Sequence, residues 1–345
     1  MKGKFGWMIT KSTINIGDDF QCIAARRFLE KENDLQYIDR EKMNEYNGDN
    51  VKMILNGWYM HNPTMWPPSD KIYPLLTSIH ISNTKQKSSK LVPSKLMLNK
   101  NGSEFLKKYS PVGCRDLFTY KLLKKKGIDC YFSGCLTLTL RNHTEENQKY
   151  ICLVDPSEEL INFVKSNTSR EIKIVYPEKD VWPKDYNERI KKAHEILKIY
   201  SEAHMVLTSR LHGALPSLAM GTPVLLLEHE FGDERYEGLK YFVNFATYKD
   251  LYSKKYPINF ENPMPNPTEY KILRKNLECI VSKFVNGNMN QVDLKKIHNE
   301  NMEAYQCARK RTISFYKENG LENIRIREIK NNFRFFVRNI ENLIR

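Results

Sequence analysis

Arg210 and His212 stand two residues apart in the run Ser209-Arg-Leu-His-Gly213. Residues 205–208 before it are short and apolar, as a buried strand is, and residues 211–220 after it carry a helical pattern. Ser209 is then placed as the helix N-cap. Unpaired backbone N–H groups and the positive end of the helix dipole converge at such a point, which suits an anion. Arg210 adds a planar fork for carboxylate or phosphate. Leu211 adds a backbone amide. His212 adds a group that exchanges a proton near neutral pH, and Gly213 allows close backbone approach. A lone histidine at a strand–helix turn is more often a core residue. Two ionisable groups at one helix start favour a functional site.

Other candidates are thinner. Arg115 ends a short strand at residues 112–115, within Pro111-Val-Gly-Cys-Arg-Asp116. Asn15-Ile-Gly-Asp18 makes a turn before a helix expected at 19–30, where Asp18 is either a helix N-cap or a functional acid. Trp58, Tyr59 and Trp66 are expected in a loop after a strand at 51–56. They would serve as a platform for sugar C–H faces or as core packing. His229 lies just past a strand, either at the surface or within reach of a ligand; His61 and His80 read as isolated. No HExxH, CxxC or His/Cys cluster calls for a metal. No GxGxxG follows the first strand and no Walker A sequence occurs, which disfavours a nicotinamide oxidoreductase and a P-loop enzyme.

The elements around these residues alternate. Strand-like runs at 5–9, 51–56, 78–82, 112–115 and 130–133 are interleaved with helical patterns, and Gly127 is placed as a helix stop. A second series follows: strands at 150–154, 172–176, 205–208 and 224–227, with helices between them. Repeated βαβ units imply an α/β fold of parallel sheets covered by helices. The two series part near residues 141–148, so two Rossmann-like domains facing across a cleft are expected, over 1–145 and 146–265. A helical C-terminal extension is expected over 266–345. In its last segment Ile326, Ile329, Phe333, Phe336, Ile340 and Leu343 recur at helical spacing beside Arg327, Lys330, Arg334 and Arg338. That pattern packs on its own domain or lies on an anionic membrane face.

The chain has 345 residues, 41% of them hydrophobic, and a net charge of +14. It is long enough for about two domains and too apolar to be disordered. The charge favours anionic partners, yet no RNA-recognition motif, zinc finger or homeodomain pattern occurs, so nucleic acid is not the expected partner. No apolar run approaches the ~18 residues of a membrane span. No signal peptide is expected, because no small-residue cleavage site follows the apolar stretch at 5–9. Seven cysteines, none in a CxxC pair, read as reduced buried thiols of a cytoplasmic protein.

Three segments together resemble the polysaccharide pyruvyl transferase family: Asn15-Ile-Gly-Asp18; Pro111-Val-Gly-Cys-Arg-Asp116 with Thr119 and Lys125-Lys-Gly-Ile128; and Ser209-Arg-Leu-His-Gly213 with its small-residue helix and Gly-Thr-Pro. They occur in family order over residues 10–245. The chain departs from the family at Asn56-Gly-Trp-Tyr59, at Thr119 and after Glu228. The resemblance implies a GT-B-like fold. It also implies transfer of pyruvate from phosphoenolpyruvate to two hydroxyls of a sugar, forming a cyclic ketal and releasing phosphate. Arg210, Leu211 and His212 would then hold one end of the donor, and Arg115 the other. His212 would supply the proton or steady the leaving phosphate, and Asp18 would act as base on the acceptor. Asn15, Trp58, Tyr59 and His229 would line the acceptor, a glycan that is lipid diphosphate-linked in the fullest form of this expectation. No cofactor is needed, since phosphoenolpyruvate is itself the donor. A GT-B glycosyltransferase using a nucleotide sugar is the competing expectation.

Overall fold

The computed structural model describes residues 4–11, 13–29, 35–86, 89–142, 149–178, 183, 185–228 and 234–321. His229 and residues 322–345 lie outside them, and with them the last segment, expected either to pack on its own domain or to lie on an anionic membrane face. The chain divides into two compact units, one of Met1–Arg141, Pro177–Leu197 and Lys271–Met302, the other of Asn142–Tyr176, Lys198–Tyr270 and Glu303–Arg345.

In the first unit the elements run β1 (Phe5–Ile9), α1 (Gly17–Arg26), β2 (Leu35–Asp39), β3 (Val51–Tyr59), β4 (Ile72–Ile81), α2 (Pro93–Met97), α3 (Lys100–Lys108), β5 (Val112–Cys114), α4 (Leu117–Lys125) and β6 (Cys130–Phe132). The strands form one parallel sheet in the order β2-β1-β3-β4-β5-β6. All five residues of β1 are buried, as a strand covered on both faces must be. β2 escapes recognition in the sequence because it is an edge strand, half-exposed and carrying Gln36 and Asp39. β3 runs three residues further than the expected strand. Gly57, at φ +103°, absorbs a register shift against β4, and pairing resumes through Trp58 and Tyr59. The two aromatics therefore sit in the strand and not in a loop.

The second unit holds β7 (Ile151–Val154), α5 (Glu158–Lys165), β8 (Ile172–Val175), the end of α6 (Tyr186–Glu202), β9 (Met205–Thr208), α7 (Leu211–Met220), β10 (Val224–Glu228), β11 (Asn244–Thr247) and α8 (Tyr248–Tyr252). Its parallel sheet has the order β11-β10-β9-β7-β8. The chain passes from β7 to β8 on one side and returns to β9 on the other, so the topological switch point lies between β7 and β9. After residue 266 the described residues hold two helices, α9 (Tyr270–Val285) and α10 (Leu294–Glu318). Their residues divide between the two units at 270/271 and 302/303. No described helix is long and apolar enough to cross a membrane.

Candidate functional site

The carboxyl ends of β7, β9, β10 and β11 enclose a cavity of about 720 Å³ in the second unit. Ligands of open α/β sheets bind at such ends, at the switch point. Asp155 follows β7 and Arg210 follows β9, one on either side of that point. Both the Nε and Nη2 of Arg210 donate to Asp155 Oδ2, at 2.6 and 2.5 Å, and the pair is little more than a quarter exposed. Asp155 takes a φ of +54°, a left-handed conformation that turns the chain sharply out of the strand.

Helix α7 starts one residue later than Ser209 would dictate. Thr208 Oγ1 accepts the Arg210 N–H at 2.9 Å and keeps the chain extended, so Arg210 itself is the N-cap residue and no side chain caps the helix. Leu211 and His212 open its first turn, and His212 is half-buried. Gly213 serves packing against the strand: a Cβ there would stand 2.7 Å from Thr208 Oγ1. Gly221, at φ +90°, ends the helix. The Tyr236 hydroxyl donates to the Ser209 carbonyl. Burial raises the Tyr248 hydroxyl above its ordinary pKa, opposed by a hydrogen bond with Ser209. At the end of β10, Lys240 donates to Glu228 Oε1 at 2.9 Å, both side chains being almost fully buried.

The first unit gathers the other sequence candidates into buried networks. Asn15 Oδ1 accepts the Gly17 N–H at 2.8 Å and shapes the entry to α1. Because α1 begins at Gly17, Asp18 lies inside its first turn and does not cap it. Asp18 is buried and receives a hydrogen bond from Arg40 Nη2 at 3.2 Å, while Arg40 Nε donates to Glu41 at 2.9 Å. Burial opposes the Arg40 charge, but Asp18 and Glu41 outweigh it and raise its pKa above the arginine norm. Arg40 also stacks over Trp58, 5.3 Å from the ring centroid. Tyr59 is fully buried and its hydroxyl reaches Met8 Sδ at 3.3 Å. His61 is not isolated: its ring lies 4.7 Å from Trp58, and its N–H donates to Glu41.

Nor is His80, which sits 2.7 Å from Asp116 Oδ2 in the core. Asp116 caps α4 through the Thr119 N–H. Burial pushes the Asp116 carboxyl up, yet His80 and Arg115 prevail and hold it below the usual carboxylate range. Arg115 follows β5, is 3% exposed, and its Nη2 has no hydrogen-bond partner among the described residues. Arg115 thus belongs to the first unit, and Arg210, Leu211 and His212 to the second. Among the described residues no group of three His, Cys, Asp or Glu side chains is placed for a metal.

Asp155, Glu228 and Tyr248 were not legible as candidates in the sequence, though each stands at or just past the end of a strand. That position was the available signal. Arg40 was hidden because it follows β2, the unrecognised edge strand.

The sequence profile of one family, described as polysaccharide pyruvyl transferase, matches residues 15–230. The chain belongs to the polysaccharide pyruvyl transferase family. The match runs from the Asn15 turn past the end of β10, so all three resembling segments fall within it. The family's members are transferases of polysaccharide biosynthesis. No curated protein matches the chain. Among solved structures, the S. aureus MnaA–UDP co-structure aligns at 11% identity and a TM-score of 0.45, covering 84% of this chain and 99% of that one.

Proposed function

We propose that this member of the family is a phosphoenolpyruvate-dependent ketal pyruvyltransferase acting on a glycan, with its donor site at the start of α7. The observation that carries this reading is Arg210 beside an uncapped helix N-terminus, at the switch point of the second sheet and inside the family-matched segment. A donor with a carboxylate and a phosphate needs a guanidinium and N–H groups pointing at it. Arg210 supplies the first, and the Leu211 and His212 amides the second. Asp155 holds the guanidinium in a fixed orientation, which lowers the cost of ordering it when the donor arrives.

In this scheme one acceptor hydroxyl oxygen bonds to C2 of the enol ester and gives up its proton, His212 relays a proton to C3, and the C2–C3 double bond becomes single. The second hydroxyl then bonds to the same carbon as the C2–O bond to phosphate breaks, and its proton leaves with phosphate. His212 is the group in the first turn of α7 suited to proton transfer, a contribution of ~10²–10⁴-fold in such reactions. Arg115, whose Nη2 has no hydrogen-bond partner among the described residues, is the first-unit cation read here as holding an anionic group. The +14 charge suits a lipid diphosphate-linked acceptor, and the free cysteines suit a reducing cytoplasm. The two units are read as a GT-B-like pair in which the second carries the donor.

The test is to incubate the purified chain with phosphoenolpyruvate, a sugar nucleotide and a glycan acceptor. Phosphate release and a new ketal methyl signal by NMR are expected. Release of nucleotide from a sugar nucleotide, with phosphoenolpyruvate left intact, would replace this reading with glycosyl transfer.

A further inference from the structure

The second-unit cavity is built for more than a three-carbon anion. Its volume of about 720 Å³ falls within the ~300–1,000 Å³ of pockets that enclose drug-sized ligands. Carboxylates of Asp155, Glu159 and Glu228 share its wall with the guanidiniums of Arg210 and Arg235 and with Tyr248. Carboxylates repel a bare anion, but they accept hydrogen bonds from hydroxyls. Arg210 and Arg235, on the same wall, disfavour a cationic ligand. What remains is a neutral, hydroxyl-bearing group.

One buried oxygen lacks a donor. Asp155 takes both Arg210 nitrogens on Oδ2. Glu228 gives Oε1 to Lys240. Its Oε2 is buried, in a residue 6% exposed, with no hydrogen-bond partner among the described residues. A desolvated carboxylate oxygen without a donor is costly and calls for an explanation. Because Glu228 lines the cavity, a small turn of its carboxylate about the last side-chain bond presents that oxygen to a bound hydroxyl. Lys240 keeps the group tethered. Tyr248 offers a ring to the C–H face of a sugar.

We infer that this cavity binds a pyranose ring of the acceptor beside the donor, with Glu228 and Asp155 accepting hydrogen bonds from its hydroxyls. The inference rests on the pyruvyl-transfer reading for the identity of the donor, while the sugar contact is tested separately. Both substrates then meet in one unit, the one that also carries His212, where the hydroxyl must add.

The full-length chain is titrated calorimetrically with methyl β-galactopyranoside, methyl β-glucopyranoside and methyl α-mannopyranoside, and separately with phosphoenolpyruvate and with UDP. Binding of at least one glycoside is expected. Its Kd should rise at least tenfold in Glu228→Gln, with the Kd for phosphoenolpyruvate changed less than twofold. Should Glu228→Gln misfold because Lys240 loses its partner, monodeoxy glycosides against the unaltered chain decide, and removal of one particular hydroxyl should cost the same tenfold. Glycosides that bind neither protein, or both equally, overturn the inference. So does binding of UDP in place of every glycoside, weakened by Glu228→Gln, since that assigns the carboxylate to a ribose. Loss of phosphoenolpyruvate binding alone, with glycoside binding kept, counts only against the donor.

Discussion

Each sheet has a switch point, and the two are used differently. In the first unit it lies between β1 and β3, where Thr10 donates to Asp19 at 2.8 Å. There the space is filled by buried ion pairs, Asp18–Arg40 and Asp19–Arg189, with side chains at most 6% exposed. In the second unit the equivalent place is a cavity, and its pair, Asp155–Arg210, is 28–29% exposed. The chemistry of the pairs is the same. Burial separates them: a sealed pair cannot exchange its partner without stranding a charge, whereas a partly solvated pair exchanges partners at smaller cost. The first set is locked in place, and the second is available to a ligand.

Replacing Arg40 attacks the sealed side and carries the largest expected effect. Arg40→Met keeps most of the volume but leaves Asp18 and Glu41 buried without their cation. Breaking a buried pair this way costs about 3–5 kcal/mol, which urea unfolding would read directly. A loss below 1 kcal/mol would mean that the first switch point is not held by its charges. Arg210→Ala attacks the open side. Turnover should fall about 10²–10³-fold, as when one preorganised donor to a developing anion is removed, while the thermal midpoint stays within a few degrees. Equal damage to stability and turnover would erase the distinction between the two sites.

Asp19 sharpens the contrast through pH. Burial raises its pKa from 3.8 to about 6, against hydrogen bonds and charge from Arg189. Between those values the folded protein keeps a proton that the unfolded chain has lost. The Asp19 contribution to stability is therefore fully present below about pH 4, falls as pH rises, and is gone above about pH 6. The slope reaches at most about 1.4 kcal/mol per pH unit. Urea unfolding across this range should show the decline, and Asp19→Asn should flatten it. An unchanged slope in the variant would assign the decline to other groups.

The sequence made the second site more legible than the first, for a physical reason. In the second unit β7 and β9 are fully buried apolar strands, so their ends could be located and Arg210 and His212 placed at one of them. Asp155 was within reach of the same rule, but pairing across the sheet from β7 to β9 depends on strand order, which local pattern does not encode. In the first unit Arg40 follows a half-exposed edge strand whose alternation is weak. Trp58 and Tyr59 were taken from their strand by Gly57, a residue that ordinarily signals a turn and here carries a register shift. Long-range partners such as His80 with Asp116, or Asp19 with Arg189, are set by topology alone.

The smallest expected effect concerns Asn15, which the sequence offered both as an acceptor contact and as a turn-forming residue. Its Oδ1 takes the Gly17 N–H, one of the donors left open at the start of α1, and its Nδ2 reaches Glu178 at 3.3 Å. Those bonds account for the side chain without a ligand. Asn15→Ala should then behave like the loss of a helix-entry bond, about 1 kcal/mol in urea unfolding, with turnover of the folded fraction unchanged within twofold. A KM for the glycan that rises tenfold at unchanged stability would instead give the first switch point a part in acceptor recognition. The division between a sealed first site and an open second one would then hold for the charges alone.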